Sequence, residues 1–243
     1  MAGVSHKQQL EIIDGTPEKR LFLSIINDYD LRTGLCELVD NAIDLWTENG
    51  GKGSLNVQIT LDDARQIIYV ADNAGGVREN QLRLLIAPGA SRNRASKDII
   101  GTFGVVGKRA GVALGELVEI RTRHKKEKSL QIDITKDWLG SEDWSLAAYE
   151  IPDIDPGTTS VTISQLRQRM DEDDIEALYS HLCATYSWFI EQGCSIIFNE
   201  TPVIPIVRLV GIPARLRAAA HKLRRATDRR QKAQCHDRSR TDS

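Results

Sequence analysis

The chain has 243 residues, 41% of them apolar and 27% charged. That suits one full folded domain plus an extension and excludes disorder throughout. No run approaches the ~18 uninterrupted apolar residues of a membrane span, and the start, Met1-Ala2-Gly3-Val4-Ser5-His6-Lys7, lacks a signal peptide's apolar stretch. A cytoplasmic protein with no membrane contact is the expectation. The net charge of -2 hides an asymmetry: residues 208–243 hold 11 Lys and Arg against 3 Asp and Glu, leaving 21 against 31 for residues 1–207. The division expected is therefore an acidic domain, 1–207, and a basic tail, 208–243.

In chain order, Thr16-Pro17-Glu18 signals a first helix, with a capping hydroxyl, a proline at the first helical position and an acid in the first turn. A second helix is expected from near Asp30, carrying Leu35, Leu38, Val39, Ala42, Ile43 and Trp46 at helical spacing and stopping at Asn49-Gly50-Gly51. Leu55 to Leu61 alternates strictly, Asp62-Asp63 turns, and Ile67 to Val70 reads as a second strand. Gln81 to Ile86 reads as a short helix. Ala87 to Gly107 is a glycine-rich loop of about 20 residues, longer than an ordinary connection. Strands are expected at Leu117 to Arg123, Leu130 to Thr135 and Thr159 to Ile163, with Arg121 to Lys128 forming a solvated, basic hairpin tip around His124. Asp171 to Asp174 places negative charge at the start of a helix running through Ile190 to Gly193, and Ser195 to Phe198 closes as a strand. Strands clustered after helices point to an α+β, two-layer sandwich: helices on one face of a mostly antiparallel, mixed sheet. Cys36, Cys183, Cys194 and Cys235 are widely spaced, form no zinc-ligand pattern and read as reduced thiols.

Four segments carry chemistry. In Glu37-Leu38-Val39-Asp40-Asn41-Ala42-Ile43-Asp44, the residues Glu37, Asn41 and Asp44 stand at i, i+4 and i+7, on one side of the helix. The bland reading is a solvated face; the functional one is a carboxylate that polarises water beside an amide that ligates a hard cation such as magnesium. Val70-Ala71-Asp72-Asn73-Ala74-Gly75-Gly76-Val77 puts Asp72 at a strand end, followed by residues small enough for a flat ligand to approach. An acceptor-only carboxylate there suits an exocyclic amine, although the segment could equally be a plain turn. Gly101-Thr102-Phe103-Gly104-Val105-Val106-Gly107-Lys108-Arg109 leads three glycines and two cations into a helix, the ingredients of an anion site. It is neither a Walker A loop nor a dinucleotide fingerprint, since Arg109 follows Lys108 and no βαβ unit precedes it. Lastly, Gly157-Thr158 opens a strand.

In this order and at these spacings the four segments closely resemble the GHKL ATPase superfamily: gyrase B, MutL, the large heat-shock chaperones, the MORC proteins and the histidine kinases. Phe103-Gly104 followed by Lys108 resembles the chaperone and MORC branches most. The resemblance spans roughly Ile25 to Ile163 and implies a Bergerat-type ATP-binding fold using ATP and Mg2+. It implies that Glu37 is the general base activating water, that Asn41 binds magnesium, with Asp44 also lining the nucleotide site, and that Asp72 holds the adenine amine with Gly76 giving room for the base. It further implies that Gly101, Gly104 and Gly107 form a phosphate-wrapping lid with Lys108 as a phosphate contact, and that Thr158 helps Asp72 through water. Two departures stand out: Ala74 replaces the family's first adenine-motif glycine, and Val106 stands where the lid has glycine. A β-branched residue does not easily take positive φ, so the lid backbone is expected to differ.

The carboxylate at Glu37, where kinase domains place an asparagine, favours hydrolysis over phosphotransfer to histidine. Three readings follow. One is a magnesium-dependent ATPase whose lid controls association with a partner or a second copy of the chain. A second is a nucleotide-binding switch without efficient turnover. The third is a kinase-type phosphotransferase. The basic tail is most simply solvated; the sharper reading is contact with nucleic-acid phosphates, for which it lacks stacking aromatics.

Overall fold

The structure is a computed structural model describing Lys19 and residues 29–51, 53–86 and 106–206. The Thr16-Pro17-Glu18 helix start, Gly101 and Gly104 of the expected lid, and the basic tail lie outside the described residues. The chain divides into two units, Met1–Pro205 and Ile206–Ser243.

Helix α1, Leu31–Glu48, begins where Asp30 turns extended (φ -94, ψ 169) and its Oδ1 accepts the Thr33 N–H at 2.7 Å. That bond satisfies one of the donors a helix start leaves open. Leu35, Leu38, Val39, Ala42 and Ile43 are buried along one stripe, as their spacing requires. The helix stops at Asn49, followed by Gly50 and Gly51 at φ 92 and 60.

Eight strands form one sheet: β1 Asn56–Asp62, β2 Ile67–Asp72, β3 Gly115–Arg123, β4 Ser129–Ile134, β5 Ala148–Ile151, β6 Thr158–Leu166, β7 Ser195–Phe198 and β8 Thr201–Pro202. Their spatial order is β5-β4-β3-β6-β2-β1-β7-β8, and every neighbouring pair is antiparallel except β1 with β7. In β1, Val57, Ile59 and Leu61 are buried while Asn56, Gln58 and Thr60 reach solvent, so one face of the sheet is wet and the other carries the core. This is the expected α+β architecture.

Between the hairpins come the short helices α2, Arg83–Ile86, and α3, Val106–Leu114, then α4, Lys136–Gly140; α5, Glu172–Thr185, and α6, Ser187–Glu191, follow β6. Helix α3 packs on α1 where Gly34 has no side chain: a Cβ there would stand 2.8 Å from the Leu114 side chain. A mid-helix glycine costs roughly 1 kcal/mol against alanine, and the close approach of the two helices is what it allows. Val106 is the first residue of α3, where helical geometry suits it; the positive φ expected to be a difficulty is not asked of it.

The single helix expected from Asp171 to Gly193 is two. A capping box between Asp171 and Asp174 starts α5, but the helix breaks at Tyr186 (φ -99, ψ 9). Ser187 Oγ donates to the Cys183 carbonyl at 2.6 Å, competing with the helical ladder. The buried Tyr186 hydroxyl reaches across to α1, donating to the Cys36 carbonyl at 2.9 Å or the Asp40 carboxylate at 2.8 Å. Burial raises the Asp40 pKa and the Tyr186 bond opposes it. Among the described residues no helix is long and apolar enough to cross a membrane.

Tyr186→Phe keeps the ring and removes the hydroxyl, leaving the Asp40 carboxylate without that donor. Urea unfolding is expected to show a loss of about 1–3 kcal/mol; an unchanged midpoint would mean that this bond contributes nothing to docking α5 on α1.

Candidate functional site

Asp72 ends β2, facing Val57 on β1 and Thr159 on β6. It therefore lies at the end of a central strand, flanked by paired backbone on both sides. Its Oδ1 accepts the Ala74 N–H at 2.9 Å, and Oδ2 takes no hydrogen bond among the described residues. Although the side chain keeps some solvent contact, burial pushes its pKa up to about 7, with the Ala74 N–H pulling the other way. The result is a carboxyl with one oxygen committed and one on offer.

The loop after Asp72 is held by bonds from four separate segments. Asn73 Oδ1 accepts the Asn56 N–H at 2.7 Å. Asn49, the cap of α1, donates through Nδ2 to the Ala74 carbonyl at 2.8 Å. Gly75 N–H donates to the Gly157 carbonyl, and Gly157 N–H to the Arg123 carbonyl, both at 2.8 Å. Val77 N–H donates to Thr122 Oγ1 at 2.8 Å, which lies 3.0 Å from Thr159 Oγ1.

His124 completes this knot. The hairpin tip read as solvated is not so at its base, where His124 is 7% exposed. Its Nδ1 lies 2.9 Å from the Gly75 carbonyl oxygen, and because a carbonyl only accepts, Nδ1 carries the proton. Nε2 is buried with no hydrogen-bond partner among the described residues. Gly76, at φ 67, lies so close to the Arg123–His124 peptide that a Cβ would collide with the Arg123 carbonyl oxygen. The space its missing side chain leaves is filled by protein backbone. Ala74 takes no positive φ, which is why it can stand in a motif position otherwise held by glycine.

Glu37, Asn41 and Asp44 occupy one side of α1 as their spacing demands. Glu37 is buried and its Oε1 accepts the Tyr29 hydroxyl at 2.6 Å. Asn41 is exposed, with its amide in no hydrogen bond among the described residues. Asp44 is half-buried. Because Asn49 is bonded to the Asp72 loop, α1 acts as a ruler: Asp44, Asn41 and Glu37 lie about 7, 12 and 18 Å from Asn49 along the axis, at 1.5 Å per residue. The bonds thus bring Asp72, Gly76, Thr158 and the end of α1 together at one end of the sheet. Gly107 and Lys108 lie in the first turn of α3 rather than in a loop. The Thr158 hydroxyl donates to the Asp155 carbonyl at 2.6 Å, and the threonine opposite Asp72 is its neighbour, Thr159.

The donor set suits a hard cation in one specific way. Asn41 offers a single uncommitted amide oxygen, and among the described residues no cluster of three or more His, Cys, Asp or Glu could hold a metal. Magnesium is commonly held by one or two protein oxygens, with phosphates and water completing its octahedron, so these residues fit it.

A family model described as Histidine kinase-, DNA gyrase B-, and HSP90-like ATPase matches residues 29–169, from Tyr29 through β6 and just beyond. The chain belongs to this ATPase family. Membership supports nucleotide binding, with ATP as the ligand. The match is to the family at large and singles out neither the chaperone nor the MORC branch. No curated protein matches the chain. The residues that position this ATPase-family site but escape a sequence reading are Tyr29, Asn49, Thr122, His124 and Thr159. Asn49 left a trace as a helix-stop residue, His124 as the centre of a basic hairpin tip and Thr159 as a strand start, none of them as a site residue.

Burial pushes the Asp72 pKa up to about 7 in the folded chain, whereas an unfolded aspartate titrates near 4. The native state therefore binds more protons through that window, and stability falls as pH rises from about 4 to 7. Asp72→Asn is expected to flatten this slope in thermal melts and raise the melting temperature at pH 8, while weakening ATP binding at least tenfold. A variant with an unchanged slope or full ATP affinity would contradict the account of Asp72.

Proposed function

We propose that the chain is a magnesium-dependent ATP hydrolase. The observation that carries the proposal is the open carboxyl oxygen of Asp72 at the end of β2, tied through Asn49 to a helix bearing Asn41 and Glu37. Asp72 accepts from the exocyclic amine of adenine, and the Thr159 hydroxyl beside it lines the same contact. Asn41 would hold magnesium through its amide oxygen, and the bound cation would neutralise charge on the phosphates.

Glu37 acts on water. Its carboxylate takes a proton as the water oxygen bonds to the γ-phosphorus; the bond from that phosphorus to the bridging oxygen breaks, ADP leaves with the electron pair, and Glu37 later returns the proton to solvent. An amide at position 37 could orient water but not accept its proton, and for that reason the carboxylate favours hydrolysis over transfer to histidine. The finer reading has Gly101, Gly104, Gly107 and Lys108 folding over the phosphates, with nucleotide state governing association with a partner or a second copy. It rests on the four-motif resemblance.

Glu37→Gln is expected to lower the ATP hydrolysis rate at least about 100-fold, the usual scale for a general base, while ATP affinity stays within a fewfold of the parent. A hydrolysis rate unaffected by the substitution would remove Glu37 from the mechanism. Transfer of phosphate to a histidine in place of release would replace the hydrolase reading with the phosphotransferase one.

A further inference from the structure

We infer that Tyr29 is a positioning residue for Glu37, holding the carboxylate in the orientation from which it takes the water proton. The inference rests on the reading of Glu37 as the base. Its starting point is the 2.6 Å bond from the Tyr29 hydroxyl to Glu37 Oε1. The phenol hydroxyl is the donor in this bond, since an ionised carboxylate oxygen only accepts.

The local backbone explains how the tyrosine gets there. Asp30 is the helix cap, bonded to Thr33 N–H through its side chain and to Gly34 N–H through its carbonyl. Tyr29 is therefore the residue just before the cap, a position whose side chain commonly folds back on the fourth helical residue. Here that residue is Gly34, which has no side chain to meet it. The tyrosine reaches one turn further, to Glu37.

A scaffold role alone does not account for the pair. The other buried positions of α1 are Gly34, Leu35, Leu38, Val39, Ala42 and Ile43, all apolar or small. A carboxylate among them costs stability relative to an aliphatic side chain, even when hydrogen-bonded. What the phenol adds is orientation: with one oxygen tethered, the carboxylate no longer rotates freely about its last torsion, and its second oxygen has a set direction. Proton transfer depends steeply on such placement, since a displacement of about 1 Å can cost on the order of 100-fold in rate.

The experiment is a double-mutant cycle on the full chain with Mg-ATP, using Tyr29→Phe, Glu37→Gln and the pair. Tyr29→Phe should lower kcat about tenfold or more, while ATP affinity measured by calorimetry and the melting temperature remain near the parent's. In the Glu37→Gln background the same change should leave the residual rate unaltered, because there is no carboxylate left to orient. A parent-like kcat for Tyr29→Phe, or an equal loss in both backgrounds, overturns the inference while the Glu37 reading stands. A Glu37→Gln variant as active as the parent overturns both, as does a parent chain that binds ATP and never hydrolyses it.

Discussion

The nucleotide end of this domain depends on a small knot of backbone and side-chain hydrogen bonds around Gly75 and Gly76. Four bonds reach it from the cap of α1, β3, the residue before β6 and the His124 ring, and a fifth, from Gly157 to Arg123, ties two of these anchors together. Two of them link three loop segments in series, Gly75 to Gly157 to Arg123, and so fuse the ends of three strands that are far apart in sequence. Only residues without a Cβ allow such contact: Gly75 would strike Asn49 Nδ2, and Gly76 the Arg123 carbonyl. The glycines of the motif serve the packing of protein on protein, and the placement of Asp72 follows from it.

That placement has an energetic cost. A carboxyl surrounded by strand ends, with a single backbone N–H as partner, resists ionisation, and its pKa near 7 records the strain. A hydrogen-bond donor at the open oxygen would favour the ionised form and so offset part of that cost. The knot also carries α1, through Asn49, which sets the distance along the helix from the Asp72 loop to Asn41 and Glu37. One helix therefore spaces Asp72 from Glu37, and the Tyr29–Glu37 bond lies at its far end.

Much of this was legible from the residues. The alternation in β1, the apolar stripe of α1, its start near Asp30 and the strand Ser195–Phe198 are local signals, set by neighbours within a turn or two, and the structure shows them. What was not legible is set by distant partners. At the break, the Tyr186 hydroxyl bonds a carbonyl 150 residues away at Cys36, a partner no local pattern reveals. Strand β5 has mostly exposed residues at the sheet edge, and β8 has two residues; neither shows a burial pattern to read. At the site, Gly157-Thr158 directs attention to the first threonine, but register decides which one faces Asp72, and register is a property of the β2–β6 pair. His124 sits in a run of cations that resembles a wet hairpin tip, yet it is buried with its ring bonded to the Gly75 carbonyl and Gly76 close against its backbone.

The central claim is that the knot presents Asp72 as an acceptor matched to an amino purine. Calorimetric titration of the full chain with Mg-ATP and with Mg-GTP tests it most directly, because guanine places a carbonyl where adenine carries its amine. At pH 8, where Asp72 is ionised and only accepts, the site should favour ATP by at least about 100-fold, since the wrong base leaves that acceptor unpaired. Equal affinity for the two nucleotides, or saturable uptake of neither by folded protein, would contradict it.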